Sequence, residues 1–163
     1  MKIEIDFRDL KKFCDRVMIR RYKDMSEKFL GKINGNPILY KVYIKDFGDF
    51  ESGLTCINSG DVEGEYFMTK GHRHKKPFNE MYMLIKGKGK LLVQGKETRV
   101  VELRKNKIYN IPGTSGHRLI NIGKTKLQVL TIYSKGAGHD YKFRFKFRRG
   151  KIKHKFDKRF FRK

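Results

Sequence analysis

The chain lacks the features that would place it in several broad classes. It has no tryptophan, only three prolines and only two cysteines in 163 residues. Cys14 and Cys56 show no CxxC spacing, so neither a disulfide framework nor a zinc knuckle is expected. No apolar run approaches the roughly 18 residues of a membrane span, and the start MKIEIDFRD lacks the apolar core of a signal peptide. We therefore expect a soluble, cytoplasmic protein that folds as a single domain over residues 1–163.

Acidic residues are also scarce. The chain has 40 lysines and arginines against 17 aspartates and glutamates, a formal net charge of +23. The last 22 residues, 142–163, hold 12 of the bases and one acid, which is about half of the net charge. Such a balance favours nonspecific, salt-sensitive contact with nucleic acid, or attraction of an anionic substrate.

The basic carboxyl-terminal segment alternates with phenylalanine. In residues 142–147 bases and phenylalanines alternate strictly, which is typical of a half-buried strand with the rings inward. RRG at residues 148–150 predicts a turn, and alternation resumes in residues 151–156, so we predict a basic β-hairpin. A basic strand with aromatic rings can also bind single-stranded nucleic acid. Because a hairpin needs its rings for the core, we expect nucleic acid to bind only nonspecifically, if at all.

The coarse pattern predicts an all-β fold. In residues 1–36 only Phe7, Leu10, Cys14 and Val17 recur at helical spacing. Thereafter short apolar segments alternate with turn signals, and we predict strands at 38–45, 53–58, 64–69, 81–86, 90–93, 98–103, 107–111, 118–121 and 127–133. Many short strands favour a sandwich or barrel. We predict a jelly-roll barrel over residues 37–141, after a short helical or extended segment (1–36) and before the basic hairpin (142–163).

Four of the five histidines lie in residues 69–141. His72 and His74 are two apart, so on a strand their side chains leave the same face. Glu80 follows after a short loop, and His117 comes 43 residues after His74, just past a turn signal. Three imidazoles and a carboxylate suit Fe, Mn, Ni, Co, Cu or Zn better than Ca or Mg, and leave room for substrate oxygens. The alternative is that these are ordinary surface or core histidines, which the clustering beside glycine-marked turns disfavours.

Two short motifs carry a family resemblance. GHRH at residues 71–74, followed by Glu80 and GKG at 87–89, resembles the first cupin motif, and IPG at 111–113 with residues 117–121 resembles the second. Cupin motifs alone say little about function, because one barrel hosts many chemistries.

A narrower resemblance covers most of the chain. TKGH at residues 69–72, EMY at 80–82 and above all GHDY at 138–141 together resemble the archaeal cupin-type glucose-6-phosphate isomerases. The likeness extends weakly upstream, through RR at residues 20–21. One departure is the spacing of five residues between His74 and Glu80, one fewer than in familiar members of the family.

The resemblance implies a function and a set of site residues. It implies His72, His74, Glu80 and His117 as metal ligands, with Glu80 and His139 as catalytic residues for proton transfer and ring opening. It implies Tyr40, Thr55, Thr69, Gly71 and Tyr141 at the substrate phosphate, bound through hydroxyls and backbone N–H groups, and Tyr82 and Tyr133 along the sugar. It further implies one divalent metal per subunit, with Fe(II) favoured and Mn(II), Ni(II) or Zn(II) as alternatives, and a homodimer.

These features lead to one preferred hypothesis and two alternatives. The preferred one is a metal-dependent isomerase of D-glucose 6-phosphate and D-fructose 6-phosphate, in glycolysis or gluconeogenesis, working through a cis-enediol or a hydride shift. The first alternative is another metal-dependent cupin enzyme, such as a dioxygenase or a different sugar-phosphate isomerase. The second is a non-catalytic basic cupin that binds RNA or a ligand.

Overall fold

Strands predominate in the computed structural model, which describes residue 6 and residues 9–145. One short helix, α1 (Leu10–Phe13), precedes thirteen strands in the described part of the chain. The strands are β1 (Arg16–Arg21), β2 (Ile38–Asp46), β3 (Phe50–Ile57), β4 (Asp61–Val62), β5 (Glu65–Tyr66), β6 (Arg73–His74), β7 (Glu80–Lys86), β8 (Gly89–Gln94), β9 (Thr98–Glu102), β10 (Ile108–Ile111), β11 (Gly116–Asn121), β12 (Leu127–Ser134) and β13 (His139–Asp140). Single 3₁₀ turns lie at Tyr22–Asp24, Ser26–Lys28 and Lys135–Ala137. The all-β prediction is confirmed, and no described helix is long and apolar enough to cross a membrane.

Two antiparallel sheets enclose the core. The larger has six strands in the order β1, β2, β3, β12, β7, β10, and the smaller has the order β11, β8, β9. Strands distant in sequence are neighbours, since β3 pairs with β12 and β8 with β11, and this is consistent with a jelly roll. Apolar side chains from both sheets meet between them, and the largest fully buried ones include Leu39, Ile57, Leu92, Leu119 and Leu127.

The amino-terminal segment differs from the helical prediction. Among the described residues 9–17 of the helical pattern, α1 is a helix of only four residues, and Val17 lies in β1, the edge strand that pairs with β2. Val17 and Ile19 are β-branched and two positions apart, which favours an extended chain. Pairing with β2 therefore overrides a helical pattern that was about two turns longer than α1 itself.

The beginning of the basic segment also differs from its prediction. Residues 142–145, the described part of the strand predicted at 142–147, form no strand; Lys142 lies in a turn after β13. The alternation in burial is nevertheless present, because Phe143 and Phe145 are half-buried and Lys142 and Arg144 are exposed. The two rings pack edge to face on each other, with centroids 5.1 Å apart, and Phe143 also packs against Gly116. The rest of the predicted hairpin lies outside the described residues.

Candidate metal centre and its cavity

The strand register collects polar side chains on one inner face. Tyr133 on β12 lies opposite Glu51 on β3 and also opposite Glu80, the first residue of β7. Two residues back, Thr131 lies opposite Tyr82. Since alternate residues of a strand point to the same face, these rows share one side of the sheet. A fold that is apolar between its sheets therefore has a polar interior at this end.

Four potential metal ligands converge here. His72, His74, Glu80 and His117 each offer one ligand atom, and these atoms all lie within 4.8 Å of one another. His72 and His117 exchange backbone hydrogen bonds of 3.2 and 2.8 Å. His74 belongs to β6, Glu80 to the larger sheet and His117 to the smaller one. The structure thus brings together all four predicted ligands, from elements far apart in sequence.

Backbone carbonyls orient two of the imidazoles. Nδ1 of His74 lies 2.5 Å from the carbonyl oxygen of Phe78, and Nδ1 of His117 lies 3.1 Å from that of Ser115. A carbonyl only accepts, so each Nδ1 carries a proton and donates it. The Nε2 atoms then face the centre, 3.2 and 3.0 Å from the same oxygen of Glu80. This is the arrangement in which histidines bind metals through Nε2.

The electrostatics of the cluster suit a cation. Burial raises the pKa of Glu80, but the adjacent His117 and His74 imidazoles outweigh it and lower that pKa to about 2. Burial, and then the neighbouring His117, lower the pKa of His72 to about 2, so this imidazole is neutral. Burial also lowers the pKa of His74, but its hydrogen bonds to Glu80 and to a carbonyl give a net increase.

Two nitrogen atoms of the cluster lack a partner. Within the described residues, Nε2 of His72 and Nε2 of His117 are buried without a hydrogen bond, since the latter approaches Glu80 outside hydrogen-bonding geometry. Buried polar atoms are nearly always satisfied. A divalent metal ion would coordinate both atoms, so the donor set fits the metal that the sequence predicts.

A cavity of about 500 Å³ opens beside the cluster. Its lining includes His72, Glu80 and His117 of the cluster, together with Tyr40, Thr55, Thr69, Gly71, Tyr82, Tyr133, His139 and Tyr141. The volume is typical of a small-molecule site. Every substrate-site residue predicted from the sequence therefore faces one space, next to the possible metal site.

His139 lies between the cluster and the tyrosines. In β13 it pairs with His74, and its ring centroid is 4.4 Å from that of His72 and 5.6 Å from that of Tyr133. Tyr141 stacks on its other side at 5.8 Å. Burial lowers the pKa of His139, so it is a neutral hydrogen-bonding group at the cavity wall.

The tyrosines of the cavity are protonated phenols. Burial raises the pKa of Tyr40 to about 12, and it raises those of Tyr82, Tyr133 and Tyr141 as well. They can donate hydrogen bonds to oxygen atoms but are poorly suited to act as bases.

Two arginines of the cavity were absent from the sequence prediction. Arg16 and Arg20 come from β1, which the helical pattern concealed. The Arg20 guanidinium lies 6.0 Å from the Tyr141 ring centroid. Arg16 bonds both carboxylate oxygens of the buried Glu51 at 2.8 Å. The two β-branched residues of β1 were the sequence signal that could have located them.

Solved structures with the same architecture define the class. An oxalate decarboxylase from Lactobacillus farciminis gives a TM-score of 0.52 with 23% identity, over 63% of this chain and 30% of that one. An oxalate oxidase gives 0.53 with 16% identity, over 68% of this chain and 58% of that one. At such identities the likeness shows the fold alone. The fold and the cluster together define a jelly roll of the cupin type with a possible metal-binding site.

Sequence comparisons give the family. The family model for glucose-6-phosphate isomerase matches residues 43–158. The glucose-6-phosphate isomerase of Thermococcus litoralis is 36% identical over 137 residues, which is 76% of this chain and 72% of the relative. That of Pyrococcus abyssi is 35% identical over 138 residues, 76% of this chain and 73% of the relative. The chain belongs to the glucose-6-phosphate isomerase family, as its motifs predicted.

Proposed function

We propose that the protein is a metal-dependent isomerase that interconverts D-glucose 6-phosphate and D-fructose 6-phosphate. The observation that carries the proposal is the shared cavity, in which a cluster able to hold a metal faces a wall of hydroxyl groups. Membership of the family supports the same reaction.

His72, His74, Glu80 and His117 would hold one divalent transition metal per subunit. We favour Fe(II), with Mn(II), Ni(II) or Zn(II) as alternatives, because imidazole and carboxylate donors suit all of them. When bound, the ion supplies Lewis-acid polarisation of the sugar oxygens at C1 and C2.

Glu80 is the proposed proton carrier. Isomerisation moves one hydrogen between C1 and C2, and a carboxylate beside both carbons can accept the proton from one and return it to the other through a cis-enediol. The low pKa of Glu80 keeps it ionised before the transfer. A direct hydride shift needs no such base. Isomerisation in D₂O separates the two routes, because only proton transfer through Glu80 brings deuterium onto carbon.

The end of the cavity formed by Tyr40, Thr55, Thr69, Gly71 and Tyr141 is the proposed phosphate end. Its hydroxyls donate hydrogen bonds to phosphate oxygens, as the sequence predicts.

Arg20 adds a charge at this end that the sequence prediction did not include. Among the described residues it forms no ion pair, and its guanidinium lies beside Tyr141. A guanidinium matches the geometry of phosphate oxygens. Tyr82 and Tyr133 would contact the sugar. His139, which lies between Tyr133 and Tyr141, would assist ring opening by exchanging a proton with the ring oxygen.

The deciding experiment is conversion of fructose 6-phosphate to glucose 6-phosphate. Purified protein is chelated, and Fe(II), Mn(II), Ni(II) or Zn(II) is added back separately. We expect activity to disappear with the chelator, to return with metal, and to be absent in His74→Ala and Glu80→Ala. Arg99→Met, an exposed arginine paired with Glu97, is the control and should remain active.

Each alternative gives a different result in the same samples. Oxygen consumption without isomerisation would indicate a dioxygenase. A folded, metal-loaded protein with no turnover would indicate a binding module and would overturn the proposal. Neutralising bases in residues 142–163 should leave isomerisation intact but weaken nonspecific nucleic-acid binding.

We further propose a cytoplasmic homodimer that acts in glycolysis or gluconeogenesis, with the whole chain forming one domain. Cupin sheets commonly pair face to face, and the family resemblance implies a dimer. Light scattering coupled to size exclusion tests the dimer, and elution as a monomer at micromolar concentration would contradict it.

A further inference from the structure

Arg118 is a buried charge with no obvious use. This residue of β11 is only 4% exposed, and its contacts in the described part of the chain include no carboxylate. Nη2 donates to the carbonyl oxygen of Lys70 at 2.8 Å, Nη1 lies 3.3 Å from Met68 Sδ, and the Phe145 ring centroid is 4.6 Å from the guanidinium. Nε is buried and has no hydrogen-bond partner among residues 9–145. Burying an unpaired charge is costly, so a compensating role is expected.

The segment that Arg118 holds is a β-bulge. Met68 bridges Ile120, and His72 bridges His117. Between these bridges residues 69–71 lie opposite residues 118–119, so one strand has one residue more than the other. Gly71 has a φ of +74°, the left-handed conformation that glycine adopts readily. Bulges of this kind redirect backbone groups and often lie next to active sites.

The bulge determines where the Gly71 N–H points. The Lys70–Gly71 peptide bond is trans, so the Lys70 carbonyl and the Gly71 N–H point in opposite directions. Arg118 binds that carbonyl from outside the cavity, whereas Gly71 lines the cavity. Among the described residues nothing accepts a hydrogen bond from the Gly71 N–H. It is therefore free to bind a ligand in the cavity, beside Tyr40, whose hydroxyl accepts from the Lys70 N–H at 3.3 Å.

The guanidinium also lies directly behind this peptide. A Cβ added at Gly71 would be 3.1 Å from Arg118 Nε and 2.6 Å from the Phe145 ring. A charge-assisted hydrogen bond to the carbonyl polarises the peptide and strengthens the donor at its other end. The same charge attracts an anion on the cavity side.

We propose that Arg118 is a positioning residue that aims and polarises the Gly71 N–H toward the phosphate of the substrate, whose negative charge compensates the buried guanidinium. The inference rests on the proposed function and deepens it, because it names a residue outside the cavity that governs phosphate binding. The cations near Gly71 in sequence have other partners. Lys70 Nζ donates to the Asp24 carbonyl oxygen and pairs with Glu27, and Arg73 pairs with Asp140.

The test compares Arg118→Met and Arg118→Lys with the wild type in the metal-loaded protein. We expect Arg118→Met to raise KM for fructose 6-phosphate about 10- to 100-fold while kcat changes less than about threefold, as expected when binding common to ground and transition states is lost. Inhibition by inorganic phosphate should weaken by a similar factor. Arg118→Lys, which keeps the charge but not the fork, should lie between the two. Arg99→Met on the same small sheet removes one charge without contacting Gly71 and should leave both values unchanged.

Two further measurements distinguish a loss of phosphate binding from general damage to the site. They are binding of a neutral polyol, glucitol, and binding of the metal. Both should be unchanged in Arg118→Lys and Arg118→Met. An unchanged KM and unchanged phosphate inhibition in Arg118→Met would overturn the proposal, and so would equal weakening of phosphate and glucitol. If Arg118→Met does not fold, the same comparison is made with Arg118→Lys. If the wild type shows no isomerisation, the proposed function fails first, and direct calorimetry with inorganic phosphate still tests the role of Arg118.

Discussion

Metal loading should raise the thermal stability of this protein substantially. Without an ion, Nε2 of His72 and Nε2 of His117 are buried and find no hydrogen-bond partner in the part of the chain that the structure describes. Each such atom costs about 1–3 kcal/mol, so coordination of both should stabilise the folded state by about 2–6 kcal/mol. Glu80, which the adjacent imidazoles keep ionised, adds a negative charge that a bound cation would neutralise further. The unfolded chain has no assembled site, so binding energy appears as folding energy.

Mass action gives a similar figure. A ligand that binds only the folded state at 100 to 1,000 times its Kd stabilises it by about 2.7–4.1 kcal/mol. For a chain of this size each kcal/mol shifts Tm by about 2–4 °C. We therefore expect Tm to rise by roughly 5–16 °C when saturating Fe(II), Mn(II), Ni(II) or Zn(II) is added to chelated protein.

Differential scanning calorimetry of chelated and reloaded samples measures the increment. It should disappear in His72→Ala and in His117→Ala. Ca²⁺ and Mg²⁺ at the same concentration are the matched ion controls, because nitrogen-rich sites disfavour them. Full retention of the increment in both variants, or an equal increment with Ca²⁺, would refute the reasoning. Retention in both variants would mean that the stabilising ion binds elsewhere. An equal increment with Ca²⁺ would mean that the effect is a general consequence of ionic strength.

Three further substitutions give separable outcomes. Arg20→Gln should raise KM for fructose 6-phosphate about 10- to 100-fold in steady-state kinetics, since a charged hydrogen bond contributes roughly 1.5–3 kcal/mol. Arg21→Gln is its control, because the Arg21 side chain lies outside the cavity lining and donates to the Asn36 carbonyl oxygen. His139→Ala should lower kcat about 100-fold while the metal-induced Tm increment stays intact. Asn121→Ala should lower the free energy of unfolding by about 3 kcal/mol or more in urea titrations, because this buried amide contacts three carbonyl oxygens and one N–H.

Local patterns were sufficient for most of the fold and for the cluster. Turn signals separate the strands of the two sheets. An His-x-His pair places two imidazoles on one face wherever that segment is extended. The spacing of five residues between His74 and Glu80 does not keep Glu80 out of the cluster, because hydrogen bonds fix the intervening loop near both ends. The Phe78 carbonyl accepts from His74, and Asn79 Oδ1 accepts from the Gly113 N–H at 3.3 Å.

The edge strand β1 was missed because its polarity pattern is inverted, although its two β-branched residues favour an extended chain. Val17 and Ile19 on its outer face are 45% and 41% exposed, whereas Met18 and Arg20 on the other face are partly buried. Amphipathic patterns identify strands by an apolar inner face. A strand whose inner face meets a polar ligand instead of an apolar core does not follow that rule. The strand that the sequence prediction missed is therefore the one that carries Arg16 and Arg20.

The strand register of the larger sheet gives the cavity two chemically distinct ends. Glu80 lies in the row of Tyr133, and Thr55 lies opposite Val129, four residues further back along β12. At about 3.3 Å per residue, these rows are roughly 13 Å apart. The imidazoles of His74 and His117 lie beside Glu80 in the first row. Tyr40 pairs with Ile57, beyond Thr55 on β3, and Arg20 pairs with Tyr40, so both lie toward the second row. A substrate that spans both ends must present vicinal oxygens at one end and a dianion at the other, and a sugar phosphate does so. Removal of Arg118 or Arg20 should therefore weaken recognition of the phosphate while the metal end stays intact, and damage to the imidazoles should have the opposite effect.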